Sequence, residues 1–280
     1  MAKARVIDTE HRLLRGDCIE GMAQLQPSSV KLCIADPPFN IGLDYDVYED
    51  KRPADEYLDW CRQWMRQVYD LLTPDGAFWL CIGDEFASDL DVLARREIGF
   101  HMRNKVIWHF TFGPHCEKKF SRCHTNLFYY TKHRSKFTFN KAAVAVPSAR
   151  QAVYGDKRAM AGGKTPADVW VLEPKQQPWL FQGDQTVWHG PRVAGTFKSR
   201  VSNAVTQMPE QVIGRMISAC SNHGDLVLDP MVGTGTTGAT AKKLSRRFVG
   251  FELSAALAAA AGGRIRDAQV GAPLSGPDID

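Results

Sequence analysis

The chain has 280 residues, 44% hydrophobic and 24% charged, with a formal charge of +4. That length suits one large domain or one domain with an inserted lobe, and the composition excludes wholesale disorder. No apolar run approaches a membrane span, and Met1 to Arg15 is polar without the apolar stretch of a secretory signal, so a cytoplasmic protein is expected.

Val30 to Ala35 is a short apolar run stopped by Asp36-Pro37-Pro38, the pattern of a buried parallel strand ending in a turn. Pro53 opens a helix in which Tyr57, Trp60, Cys61, Trp64, Met65, Val68, Leu71 and Leu72 recur at helical spacing as a core face, and Thr73-Pro74-Asp75-Gly76 is expected to end it. Ala77 to Ile82 reads as a second strand, followed by a helix from Asp84 to about Glu97. This β-α-β rhythm predicts an α/β fold with a doubly wound, Rossmann-like sheet.

Between His101 and Lys136 the charge turns basic. Arg103, Lys105, Lys118, Lys119, Arg122, Lys132, Arg134 and Lys136 face only Glu117, and they interleave with Trp108, Phe110, Phe112, Phe120, Phe128, Tyr129 and Tyr130. Two readings stand: a surface meeting phosphates with charge and bases with rings, or a solubilising face over a buried strand. From about 113 to 199 periodicity is broken by Pro147, Gly162-Gly163, Pro166, Pro174, Pro178 and Gly190-Pro191, which predicts an inserted lobe packed by Trp170, Trp179 and Trp188.

The α/β rhythm resumes at Pro209, with Val212, Ile213, Met216, Ile217 and Cys220 on one helix face. Leu226 to Leu228 is a strand, Asp229 to Gly238 a glycine-rich loop entering a helix, Phe248 to Phe251 another strand, and Ala255 to Ala261 a closing helix. Gly262-Gly263 is expected to end that helix, and residues 269–280, polar and rich in proline and glycine, to be disordered.

The loop Gly233-x-Gly235-x-x-Gly238 alone matches a dinucleotide fingerprint. Asp229 argues against a pyrophosphate there, because a carboxylate at the strand end repels an anion and attracts a sulfonium or an ammonium. Glu252, ending the next strand, can accept hydrogen bonds from both ribose hydroxyls of an adenosine cofactor; the plainer reading is an exposed acid at a strand end.

Asp36-Pro37-Pro38-Phe39 stands after another strand, at the edge where open α/β sheets bind ligands. By itself it reads equally as a strand-ending turn. The chemical reading starts from an amino group on an aromatic base, whose lone pair is delocalised into the ring. A carboxylate and a fixed carbonyl, each accepting one N–H, favour a pyramidal nitrogen with its lone pair free to attack. Asp36 and the Pro37 carbonyl suit that task, Pro38 stiffens the segment, and Phe39 offers a ring for an extruded base to stack on.

These motifs resemble the DNA amino-methyltransferases, in the group where D/S-P-P-Y/F comes first, the target-recognition region next and the cofactor loop last. The likeness runs from about Leu14 to Leu253. Gly16-Asp17-Cys18 is similar to the family's adenine-holding segment, with Asp17 as the acceptor. Leu228 to Thr237 is similar to D-P-F-x-G-S-G-T-T, and Thr206-Gln207-Met208-Pro209-Glu210 to the T-Q-K-P-E element near the methionine moiety. Met208 stands where lysine is usual and Met231 where phenylalanine is usual.

The resemblance implies a methyltransferase using S-adenosylmethionine on double-stranded DNA, with adenine N6 preferred because an aspartate heads the tetrapeptide and cytosine N4 left open. It implies a catalytic half at 1–112, a target-recognition lobe at 113–199 and a cofactor half at 200–268. The cofactor residues are then Asp17, Cys18, Thr206, Gln207, Asp229, Gly233, Gly235, Thr236, Thr237 and Glu252. Lys118, Lys119, Arg122 and His124 are the implied DNA contacts. A homodimer and a cognate restriction enzyme stay open as partners, and no membrane is expected.

Other readings explain less. A nicotinamide-dependent oxidoreductase would use the glycine loop and leave Asp36 to Phe39 idle, whereas an inactive DNA-binding relative would keep every chemical residue for nothing. Seven cysteines without a C-x-x-C pair favour reduced thiols, and the spacing of His115-Cys116 and Cys123-His124 fits no common zinc pattern, so no metal is expected.

Overall fold

The structure is a computed structural model that describes residues 5–6, 10–110, 116–146, 158, 163–170 and 207–274. Among these residues nine strands form one sheet: β1 (Arg5–Val6), β2 (His11–Arg15), β3 (Val30–Ala35), β4 (Leu72–Ile82), β5 (His101–His109), β6 (His124–Thr131), β7 (Val169–Trp170), β8 (Leu226–Asp229) and β9 (Arg247–Glu252). Their spatial order is β1-β2-β9-β8-β3-β4-β6-β5-β7. The run from β2 to β4 is parallel, and β6 lies antiparallel to both β4 and β5.

The helices are α1 (Cys18–Met22), α2 (Ala54–Leu71), α3 (Asp84–Val92), α4 (Glu210–Cys220), α5 (Thr236–Lys243) and α6 (Ala255–Asp267). Strand side chains alternate in direction, so each face of the sheet needs a cover. Leu32, Ile34, Trp79 and Cys81 pack with α4, α5 and α6, whereas Cys33, Ala35, Phe78 and Leu80 pack with α1, α2 and α3. The sheet is therefore doubly wound, and its winding reverses between β3 and β8, which pair in register Leu32 to Val227 and Cys33 to Leu228.

Several expectations need correcting. α2 ends at Leu71, just before Thr73-Pro74-Asp75-Gly76 as expected, but Leu72, expected on its core face, instead opens β4, which absorbs those four residues through a register shift, with Val30 opposite Leu72 and Leu32 already opposite Ala77. The helix expected from Asp84 to about Glu97 is present, as α3 continued by a wider π-turn over Leu93–Ile98 that closes at Gly99, φ 101°. Gly262-Gly263 does not end α6, which runs on to Asp267 because its Ile265 faces the core.

The rings in the basic stretch are mostly core. Trp108, Phe110, Phe128, Tyr129 and Tyr130 are buried, and Trp79 stacks on Tyr129 at 4.7 Å and 8°. Only Phe120 among the described ones is fully exposed, and Phe112 lies outside the described residues. β6 belongs to the main sheet and β7 pairs with β5, so the boundary expected at 113 falls inside the sheet rather than at its edge. Trp179, Trp188 and most of the expected lobe lie outside the described residues. The expected tail is docked as far as Leu274, whose side chain sits against Gly214 while Lys243 donates to the Pro273 carbonyl; residues 275–280 are outside the description. Among the described residues no helix is long and apolar enough to cross a membrane.

Candidate active site

The carboxyl ends of β2, β3, β8 and β9 open onto one cavity of about 500 Å³, within the range of cofactor pockets. Asp17, Cys18, Asp36, Pro38, Gln207, Asp229, Gly233, Thr236, Thr237 and Glu252 all line it. Asp36 follows the last residue of β3 and Asp229 is the last of β8, so the pairing of these two strands brings together acids 193 positions apart in the chain. Thr206 lies outside the described residues.

The glycine loop folds back on the acids. Asp229 Oδ1 accepts the Met231 N–H at 3.0 Å, and Glu252 Oε2 accepts the Gly233 N–H at 2.8 Å while its Oε1 accepts that of Ser254 at 2.8 Å. Gly233 and Gly235 hold φ of 53° and 81°, and a Cβ on Gly235 would stand 2.9 Å from the Ala261 Cβ. Gly235 thus lets the loop lean on α6 where a side chain could not.

Burial raises both carboxylates. Desolvation pushes Asp229 up to about 7 against the stabilising Thr237 and Met231 hydrogen bonds, and it raises Glu252 despite amides from Ser254 and Gly233. The cavity therefore holds acids whose charge is under-solvated, a setting that rewards a cationic ligand. Asp17 caps α1, its Oδ1 accepting the Ile19 and Glu20 N–H groups at 2.8 and 3.1 Å, which leaves Oδ2 for a ligand. The neighbouring Cys18 thiol is pushed up to about 12, chiefly by burial, and stays protonated at neutral pH.

Within the tetrapeptide Pro37 is buried, and Phe39 packs on Gly83 at the start of α3. The same spot meets the pair of Arg122 Nη1 and Glu85 Oε2 at 2.6 Å. His124 lies 3.1 Å from Asp84, which also receives the Asn126 amide at 2.8 Å. Of the expected DNA contacts, Lys118 and Lys119 are exposed, while Arg122 is half-buried in an ion pair with Glu85 and His124 half-buried beside Asp84, both on α3.

One wall was missed in the sequence. Residues 40–52 form a loop that brings Tyr45, Asp46, Tyr48 and Arg52 to the cavity. Buried Asp50 organises it by accepting the N–H groups of Asn40, Ile41 and Leu43 at 2.7, 3.2 and 2.9 Å. Ser254 donates to Asp46 at 2.6 Å, joining this loop to the start of α6 across the cavity mouth. Among the described residues the Tyr48 hydroxyl is a buried polar atom with no hydrogen-bond partner. Length was the usable signal, since strand-to-helix connections of two to six residues are the norm and longer ones carry function.

A family model for DNA methylases matches residues 30–261. The chain is 30% identical to the Type II methyltransferase M.HpaI of Haemophilus parainfluenzae over 245 residues, 88% of this chain and 71% of the relative. It is 29% identical to the DNA adenine methyltransferase YhdJ of Escherichia coli K12, covering 86% of this chain and 78% of the relative. Its fold is similar to the solved structure of the PvuII DNA methyltransferase, which is cytosine-N4-specific, with a TM-score of 0.68 over 94% of this chain and 90% of that one at 16% identity.

Proposed function

The chain belongs to the DNA methylase family, and from that premise we propose how its residues serve methyl transfer to adenine N6 in DNA. S-adenosylmethionine is the cofactor, and when bound it supplies an electrophilic methyl group on a sulfonium. The donor set fits it: Asp17, Asp229 and Glu252 line one cavity, and the Tyr48 hydroxyl there is unsatisfied among the described residues. In this reading Glu252 accepts the ribose hydroxyls, Asp17 and Cys18 flank the adenine, and Asp229 faces the cationic methionine end with Thr236 and Thr237. Gly233 and Gly235 keep the loop close to the ligand, and Thr206 with Gln207 borders the methionine moiety.

The target base, turned out of the duplex, stacks on Phe39. Asp36 and the Pro37 carbonyl each accept one N–H of its amino group, so the nitrogen lone pair points away from both and toward the donor subsite. As the new C–N bond forms the methyl–sulfur bond breaks, its electron pair staying on sulfur as a neutral thioether; the nitrogen is left positively charged and then releases a proton along the hydrogen bond to Asp36. No strong base is needed first, so catalysis rests on positioning and electrostatics. Lys118 and Lys119 meet DNA phosphates, while Arg122 and His124 act at the edge of the base pocket, beside Phe39 and α3.

The observation that carries this reading is the pairing of β3 with β8, which sets Asp36 beside the Asp229 loop on one cavity. Adenine is preferred because an aspartate heads the tetrapeptide and because the relative YhdJ is a DNA adenine methyltransferase. The expected result for Asp36→Ala is loss of methyl transfer with cofactor binding kept, read by calorimetry beside a methylation assay. Wild-type turnover in that variant would overturn the mechanism. Mass spectrometry of nucleosides from treated DNA should show N6-methyladenine, and N4-methylcytosine would instead assign the other target.

A further inference from the structure

Pro37 and Pro38 follow each other directly, so two successive residues of the tetrapeptide have no N–H to donate and no backbone ladder can tie them down. The first proline is constrained anyway, because a residue that precedes proline is confined to extended conformations, which sets the direction of the Pro37 carbonyl. The Pro38 carbonyl has no such constraint. Its rotation swings the next peptide plane and with it the Phe39 ring.

The Tyr57 hydroxyl, 19 residues on and one turn into α2, donates to that Pro38 carbonyl at 2.7 Å. Tyr57 is fully buried, its ring 4.7 Å from that of Phe86 and 5.9 Å from that of Trp60, so the hydroxyl cannot follow a moving loop. Burial raises its phenol well above the ordinary range, and it remains a donor at every working pH. Beyond Phe39 the chain is held again. Asn40 sits in the left-handed region at φ 59°, donates from Nδ2 to the Arg52 carbonyl at 2.9 Å and accepts the Arg52 N–H at 2.7 Å.

We infer that Tyr57 is a positioning residue for methyl transfer: its hydrogen bond to the Pro38 carbonyl, with the Asn40 clamp on the other side, fixes the Phe39 ring on which the target base stacks. This inference rests on the proposed roles of Asp36 and Phe39. A buried tyrosine needs some acceptor for its hydroxyl in any protein; what assigns a role here is that the acceptor is the Pro38 carbonyl, whose rotation carries Phe39.

The test compares Tyr57→Phe with Phe86→Leu, which loosens the packing around the same ring but keeps the hydroxyl. Tyr57→Phe should lower kcat between about tenfold and a hundredfold, the range for a misplaced reacting group, with the Kd for S-adenosylmethionine unchanged. In DNA carrying 2-aminopurine at the target position, it should also change the fluorescence of the extruded base. Phe86→Leu should lower the melting temperature while kcat stays near wild type. Should Tyr57→Phe fail to fold, Asn40→Gly, which keeps the left-handed backbone and removes the clamp, should give the same kcat loss at unchanged cofactor Kd. Unchanged kcat, or a loss matched by weaker cofactor binding, overturns the positioning role. Wild-type turnover in Asp36→Ala would instead overturn the reading on which it rests.

Discussion

Asp229 makes the cavity sensitive to pH. Its carboxyl titrates near 7 in the folded chain, against about 3.9 for a free aspartate. Between those values the folded state keeps a proton that the unfolded state has lost, so this group's contribution to stability falls as pH rises through that window and is flat above it. A cationic ligand reverses the preference. Affinity for S-adenosylmethionine should therefore rise as pH climbs through about 7, with proton release on binding at pH 6. Calorimetry in buffers of different ionisation heat measures that release, and Asp229→Asn should reduce it.

Gly235→Ala should cost about 1–3 kcal/mol of stability through a strained left-handed backbone, and more in cofactor affinity because the loop must move off Ala261. Thermal melts with and without cofactor separate the two effects. The acids and the glycine loop were legible in the sequence, since their chemistry lies in residue type and local spacing. Tyr57 was legible only as a core residue of α2, because a hydroxyl reaching back 19 positions to a carbonyl leaves no local pattern. Asp50 was hidden for the same reason, its three amide partners lying in a loop without periodicity.

At the scale of elements, strands and helices with a clear apolar face were readable, and their ends were not. The Gly262-Gly263 pair looked like a stop and lies inside α6, whose register is held by Ala261 and Ile265 in the core. A Cβ on Gly263 would meet nothing within 4 Å. Gly263→Ala should thus stabilise the protein by about 0.5–1 kcal/mol, as in any unstrained helix interior, and a rise in melting temperature checks it. The stretch from 101 to 136 misled for a different reason. Composition mixes what position separates: β6 turns Phe128 and Tyr130 to one face and Leu127 and Tyr129 to the other, both buried, while Arg103 and Lys105 lie on the exposed first half of β5 and the other charges follow in loops.

At the scale of the molecule, the two halves of the active site come from strands that neighbour each other in space and stand far apart in the chain. The Rossmann-like order was legible from the two motifs, because donor and acceptor must meet at the point of reversal. That β6 and β7 extend the same sheet was not, since pairing partners across long connections carry no local signature. Saturating cofactor at about a hundred times its Kd should raise overall stability by about 2.7 kcal/mol; a melt that ignores the ligand would contradict a preformed cavity.

The strand order has a consequence for how the protein is made. β2 and β3 are consecutive early strands, yet β9 and β8 lie between them, so among the described strands the two that fill this gap are the last to be synthesised. Until then the nascent chain carries β2 and the apolar β3 with their inner edges open, the condition that invites pairing with other chains. A protein cut before β8 should accumulate in the insoluble fraction and regain solubility when residues 207–280 are co-expressed, which sedimentation of the two preparations would show.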